Sequence, residues 1–325
     1  MKRGWITWDQ SELPPAALER RLAAVARVLA GRDLPALILY TDVCRSNHGR
    51  YFANFMPYWN RSLLALPREA PPILLCPLSP RVYPWIRSIS IVQDIRPGAA
   101  LVQSLAKLCA EKGWKKIGVL DLASLPHDLH ARLGSAGVEA EDVPSSQLYA
   151  PGADDWEIGL RRRAATLARE ALARQLPQAA GARDWELVGR LERDLRLAGA
   201  EDAVILVSHG DAAPSPAKGL VLGEAYSVTL ALEYRGHWAK LSRPHAPAPV
   251  VEALRKQFEE TLRNLATNAP ARAENLAGAY PYESCDPSEL SGIGIFAVHV
   301  ESSFNQRRLF YGDTCRWGET GAEPL

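Results

Sequence analysis

The chain has 325 residues, 47% hydrophobic and 23% charged, with a formal net charge of +1. That length suits two domains rather than one, and the composition is that of a globular protein with a sizeable core. Lys and Arg are dispersed along the chain, which argues against nucleic acid or an anionic membrane surface as a partner. The start, MKRGWITWDQSELPP, lacks the apolar stretch of a signal peptide, and no apolar run reaches the about 18 residues of a membrane helix. The five cysteines, Cys44, Cys76, Cys109, Cys285 and Cys315, are odd in number and none pair at metal-ligand spacing. Cys76 and Cys109 sit in apolar runs as small hydrophobes. A reduced, cytoplasmic protein is the expectation.

Residues 15–30 place Leu18, Leu22, Val25 and Leu29 at helical spacing. A buried strand follows at 34–40, then a polar, aromatic segment, TDVCRSNHGRYFANF, which reads as a loop, and a strand SLLALP. PPILLCPLS predicts another strand, VYPWIRSISIVQDI a helix and strand, AALVQSLAKLCAEKG an amphipathic helix, and 115–122 a further strand. HDLH at 127–130 places two His three apart on a short helix and reads as structural. This alternation implies an α/β domain with a mixed sheet over 1–145. The segment 143–155, rich in Pro, Ser and Gly, is the linker.

The longest helix follows, WEIGLRRRAATLAREALARQL, with Ile158, Leu160, Leu167, Ala171 and Leu172 for burial and Arg161, Arg162 and Arg163 read as a solvated face. A second helix, 185–199, begins after Asp184, which reads as its N-cap. The pattern then changes to strands at 202–210, 225–243, 293–304 and 307–317, interrupted by one helix near 248–267. The second domain, 146–325, is therefore expected to be α+β, an antiparallel sheet under helices.

Three segments of this second domain carry a resemblance. WEIGLRRRAATLAREAL looks like the first helix of the creatinase/prolidase/aminopeptidase P family, the pita-bread fold. GLVLGEAYSVTLALEYRGHWAKLSRP looks like its ligand hairpin, with Gly223, Gly236 and Arg243 in step, and YGDTCRWGETGAEPL looks like its closing segment. The first domain is similar to the family's creatinase-type N-terminal domain, and the match runs in order along nearly the whole chain. The resemblance implies a shortened pita-bread domain. Two-metal members use two Asp eleven positions apart on that hairpin, a His and two Glu. Carried over, these fall on Thr229, Lys240, Ser291, Val300 (with Glu301 one place along) and Gly312. A pair of divalent ions needs several convergent carboxylates, and a Lys ammonium at a ligand position repels them. No metal and no other cofactor is expected, although a single adventitious ion at His237, His299 and Glu301 is conceivable.

What remains for chemistry is proton transfer, which needs a group titrating near neutrality beside one that orients it. The candidates are His209, His237, His245 and His299, with Glu233 and Glu301. Strand alternation sends Lys240 and Trp238 to one face and His237 and Ala239 to the other. Lys240 is expected to face the old metal centre, with Glu301 as its natural counter-ion, or else another acid such as Glu233 or a bound carboxylate, either replacing the metal's charge or forming a structural ion pair. Arg243 matches a family Arg that is usually structural. In dimeric relatives the segment between the first two strands contacts substrate in the neighbouring subunit, so Arg45, His48, Arg50, Tyr51, Trp59 and Arg61 are candidate substrate contacts. The expected function is a metal-independent, creatinase-like enzyme on a small amino-acid-like or C–N-bonded substrate. The alternative is a catalytically degenerate binding subunit. A homodimer, or a heterodimer with an intact paralogue, is expected in either case.

Overall fold

The computed structural model describes residues 7–57, 60–149, 154–265, 272–275, 284–285, 294–318 and 321–325. They form two compact units, Met1–Ala150 and Pro151–Leu325.

Unit 1 runs α1 (Pro15–Gly31), β1 (Ala36–Thr41), α2 (Asn47–Ala53), β2 (Ser62–Pro67), β3 (Ile73–Cys76), α3 (Tyr83–Ile89), β4 (Asp94–Pro97), α4 (Leu101–Lys112), β5 (Lys116–Leu120), α5 (His127–Ser135), β6 (Glu139–Val143) and α6 (Ser146–Tyr149). Its sheet has the order β4-β3-β2-β1-β5-β6. β1, β2 and β3 pair antiparallel, while β1–β5, β3–β4 and β5–β6 are parallel, the mixed sheet expected. Near-continuous apolar strands are buried on both faces. One side packs Leu37, Leu39, Leu64 and Leu74 with Phe52 and Phe55, and the other packs Ile38, Leu63 and Leu75 with Leu101, Leu105 and Leu108 of α4. Cys76 and Cys109 lie in these cores, and burial pushes both thiols up, Cys109 to about 11.

The segment after β1 is not the plain loop expected. It contains α2, which ends at Asn54 in the left-handed conformation and inserts Tyr51, Phe52 and Ala53 into the core. Apolar burial, which a seven-residue helix needs for stability, explains why a polar-looking stretch folds inward.

Unit 2 runs α7 (Asp155–Gln175), α8 (Asp184–Leu197), β7 (Asp202–Ser208), β8 (Tyr226–Tyr234), β9 (His237–His245), α9 (Ala248–Arg263), β10 (Arg272–Asn275), β11 (Ser284–Cys285), β12 (Ile295–Phe304), β13 (Arg307–Gly318) and β14 (Gly321–Pro324). Its strands pair in the order β11-β10-β12-β13-β9-β8-β7, with β14 on β13, and every pairing is antiparallel. The β8–β9 hairpin turns through Arg235 (φ 47°) and Gly236 (φ 80°), the positive-φ pair of a two-residue type I′ turn. That turn fixes the register on which the site depends.

The arginine triplet is not uniformly solvated. Arg162 and Arg163 are exposed, but Arg161 is 2% exposed, bonds Glu157 Oε1 at 2.8 Å through Nη2, and donates to the Trp238 carbonyl at 2.8 Å. One turn of α7 therefore brings a buried ion pair onto β9. Arg161→Met is expected to lower unfolding stability by about 3–5 kcal/mol, because it leaves the Glu157 charge buried alone. Adding Glu157→Gln should recover most of that loss in urea denaturation.

Candidate functional site

Strand register, not sequence spacing, assembles the centre of unit 2. Thr229 on β8 pairs with Ser242 on β9, Ser242 with Gly312 on β13, and Gly312 with His299 on β12. Directly opposed residues project to the same face, so the four form one row across four strands. Hydrogen bonds run along it: Thr229 Oγ1 lies 2.7 Å from Ser242 Oγ, which lies 3.0 Å from His299 Nδ1. Gly312 has no side chain to contribute. A Cβ there would run into His299 Nδ1 and Cγ and the Val298 carbonyl, so the imidazole occupies the space over Gly312.

Lys240 and Glu233 lie on this face as well. Lys240 opposes Ala231, and Glu233, two residues further on, is its diagonal neighbour. Lys240 is 5% and Glu233 1% exposed. They are two opposite charges buried on one face, and the register makes Glu233 the carboxylate diagonal to Lys240. Glu301, the expected counter-ion, does not stand beside Lys240. It is exposed near the end of β12 and held by Arg308 Nη2 at 2.6 Å.

Val300 is a second correction. It points to the opposite face, where Phe296, Val298 and Val300 pack against Leu254, Phe258 and Leu262 of α9. The residue facing Gly312 is His299, one place earlier. Arg243 is also on that opposite face. Its Nη2 meets Asp313 Oδ2 at 2.6 Å and its guanidinium lies over the Tyr311 ring, while Arg169 bonds both Asp313 oxygens. His237 is buried beside the hairpin turn, Nδ1 3.0 Å from the Arg235 carbonyl, on the face away from Lys240. Ser291 lies outside the described residues.

His209 stands apart, just past the end of β7. Its Nε2 is 3.0 Å from Asp184 Oδ2, and Asp184 also accepts the Lys218 N–H at 2.9 Å and the Gly219 N–H at 2.8 Å. Asp184 is the first residue of α8, not its N-cap. Burial opposes its charge, but the Lys218 and Gly219 N–H groups and His209 outweigh that and hold the carboxyl below its ordinary value. The adjoining Gly210 carbonyl accepts the Arg308 N–H at 2.7 Å, so His209 and the Glu301–Arg308 pair share one end of the sheet.

The unit 1 candidates do not form a free polar loop. Arg50 and Tyr51 are buried in that unit, Tyr51 under the Arg21 guanidinium. Arg45 donates to the Ser124 carbonyl at 2.7 Å, and Arg61 pairs with Asp128 at 2.9 Å. His48 is 3.8 Å from Asp121; burial lowers its pKa against the pull of that carboxylate. Trp59 lies outside the described residues.

A two-metal centre does not fit the donor set of the row. Thr229 and Ser242 offer hydroxyls, His299 one imidazole and Gly312 nothing, with the Lys240 ammonium two residues from Ser242. Among the described residues, no three His, Cys, Asp or Glu side chains gather as a cation would require. Lys240, His209 and His299 are the sequence candidates; Ser242 is not among them and Asp184 reads there only as a helix cap, because their partners lie 57 and 25 residues away in sequence.

No protein-family model matches the sequence, and no curated protein matches it. Among solved structures, the chain is similar to the Xaa-Pro dipeptidase from Bacillus anthracis (TM-score 0.72, 16% identity, covering 94% of this chain and 96% of that one). It is likewise similar to the X-Pro aminopeptidase from Thermotoga maritima (0.73, 14%, 94% and 96%) and to the prolidase from Pyrococcus horikoshii (0.71, 13%, 94% and 97%). At these identities the likeness is one of fold. The chain is an α/β unit followed by a pita-bread unit, the fold of the Xaa-Pro peptidases and prolidases.

Gly312→Ala is expected to cost about 1–3 kcal/mol by overpacking against His299. Truncating His299 removes the clash with its ring and leaves the one with the Val298 carbonyl, so a double-mutant cycle with His299→Ala should show a coupling of about 1 kcal/mol or more in chemical denaturation. Asp184 sets a pH dependence. A carboxyl whose pKa is lower folded than unfolded adds stability above the unfolded value and loses it as pH falls through the folded one. The difference in stability between the native chain and Asp184→Asn should thus be constant near neutrality and shrink below about pH 4, read from melting temperatures.

Proposed function

We propose that this protein is a metal-independent, creatinase-like enzyme that acts on a small amino-acid-like or C–N-bonded substrate at the face of unit 2 carrying Lys240. The observation that carries this reading is the buried Lys240 beside Glu233 and the Thr229–Ser242–His299 chain. In this reading Thr229, Lys240 and Gly312 are vacated ligand positions, and the ammonium supplies the positive charge that metal ions supply elsewhere. A desolvated ammonium attracts a carboxylate or polarised carbonyl far more strongly than it would in water. His209, at the end of the same sheet, supplies proton transfer.

A second reading draws on one observation, the His299 ring filling the space over Gly312. In that reading the chain is a catalytically degenerate binding subunit, forming a homodimer or pairing with an intact paralogue.

The test is a panel of creatine, an N-carbamoyl amino acid and Gly-Pro, offered to the purified chain with and without a chelator. Binding is followed by calorimetry and C–N cleavage by mass spectrometry. The enzymatic reading expects cleavage insensitive to chelation. Binding without cleavage by any member favours the second reading, and chelator-sensitive cleavage overturns metal independence. Lys240→Met, which keeps volume and removes charge, is expected to weaken binding of a carboxylate-bearing member at least tenfold, about 1.4 kcal/mol, with the fold preserved.

A further inference from the structure

We infer that Asp184 is the positioning residue for His209, fixing its tautomer so that Nδ1 is the ring's proton acceptor; this rests on the enzymatic reading of unit 2. The pair begins with an acid that sequence alone assigns to helix capping. A first-turn Asp usually serves its own helix, but Asp184 also reaches out of α8 to the loop after β7. Its carboxylate takes the Lys218 N–H at 2.9 Å, the Gly219 N–H at 2.8 Å and His209 Nε2 at 3.0 Å, and is itself wholly buried. The cradle is tight. Gly219 has φ +80°, and a Cβ on it would collide with the Trp185 ring, 2.6 Å from Cζ3.

The tautomer follows from chemistry. A carboxylate held ionised is an acceptor only, so the neutral His209 ring must carry its hydrogen on Nε2. The lone pair is then left on Nδ1. Among the described residues Asp184 is the sole side-chain partner of His209, whose side chain is 19% exposed. A buried acid, an imidazole fixed by it and a partly open second nitrogen are the parts of an oriented general base.

Placement agrees with that role. His209 is three residues beyond Leu206, the partner of Thr229, so it stands about 10 Å along the strand from the polar row, at about 3.3 Å per residue. Lys240 lies on the far side of the row, level with Val204, so a small substrate that reaches His209 is held at the row itself, by Thr229 and Ser242, rather than at Lys240. In C–N hydrolysis the attacking water gives its proton to Nδ1 as the C–O bond forms. The same proton passes to the departing nitrogen as the C–N bond breaks, and the transient imidazolium is balanced by Asp184. Other charged side chains on the surrounding elements are Arg183 just before α8, Asp211 and Lys218 in the loop, and Arg308 with Glu301 on the β12–β13 hairpin.

The experiment is long-range 15N–1H correlation NMR of the full chain with 15N-labelled histidine at about pH 8.5, two units above the ordinary His value. A His209→Gln spectrum assigns the signal. The native ring is expected with its hydrogen on Nε2. In Asp184→Asn, where the side-chain amide donates to Nε2, the hydrogen is expected to move to Nδ1. A native ring protonated on Nδ1 overturns the inference, as does an unchanged tautomer in the Asn variant. If that variant does not fold, the native tautomer alone decides. For any panel member that is cleaved, Asp184→Asn should lower kcat about 100-fold or more with little change in KM. If the tautomer moves as expected while no panel member is cleaved, the enzymatic reading fails and the positioning of His209 stands.

Discussion

The contact between the His299 ring and the bare Cα of Gly312 is the constraint around which the centre of unit 2 is arranged. Gly312 lies between two strands, opposite Ser242 on one side and His299 on the other. With any larger residue there, the imidazole would have to leave, and the Ser242–His299 bond with it. Because Ser242 also bonds Thr229, one missing side chain organises polar groups on three strands.

Around this row the sheet separates its charges by face. On one side Lys240 and Glu233 are buried as diagonal neighbours. On the other, Asp313 is clamped by Arg169 and Arg243, and Phe296, Val298 and Val300 meet α9. A residue's chemical role is thus decided by strand parity, and adjacent residues such as Ser242 and Arg243 belong to different environments. The buried Arg161–Glu157 pair adds a tie from α7 to the backbone of β9, close to the hairpin turn that sets this parity.

The electrostatics follow the same logic of burial with compensation. Asp184 tolerates complete burial because three donors converge on it, which keeps it charged and fixes the ring of His209. The cysteines at 76, 109 and 315 are made less acidic by burial, which at Cys76 the hydrogen bonds of the Leu78 backbone and Ser62 only partly offset. In unit 1, charged members of the segment after β1 find partners within the unit: Arg45 with Ser124, Arg61 with Asp128, His48 toward Asp121.

The mixed sheet followed by an antiparallel one, and a strand hairpin carrying Lys240, were legible in the sequence. They depend on local periodicity, on turn residues such as Arg235-Gly236, and on residues close together in the chain. What the sequence left open depends on contacts between distant segments. Whether Val300 or His299 faces Gly312 is a one-residue matter of pairing between β12 and β13, and a one-residue slip reverses every side chain. Whether Arg161 is solvated depends on α7 lying against β9, 77 residues away. Asp184 reads as a cap because its helix is adjacent, yet its partners at 209, 218 and 219 reach it only once the chain has folded back. Local chemistry determined the elements, and the tertiary structure alone decided which groups meet.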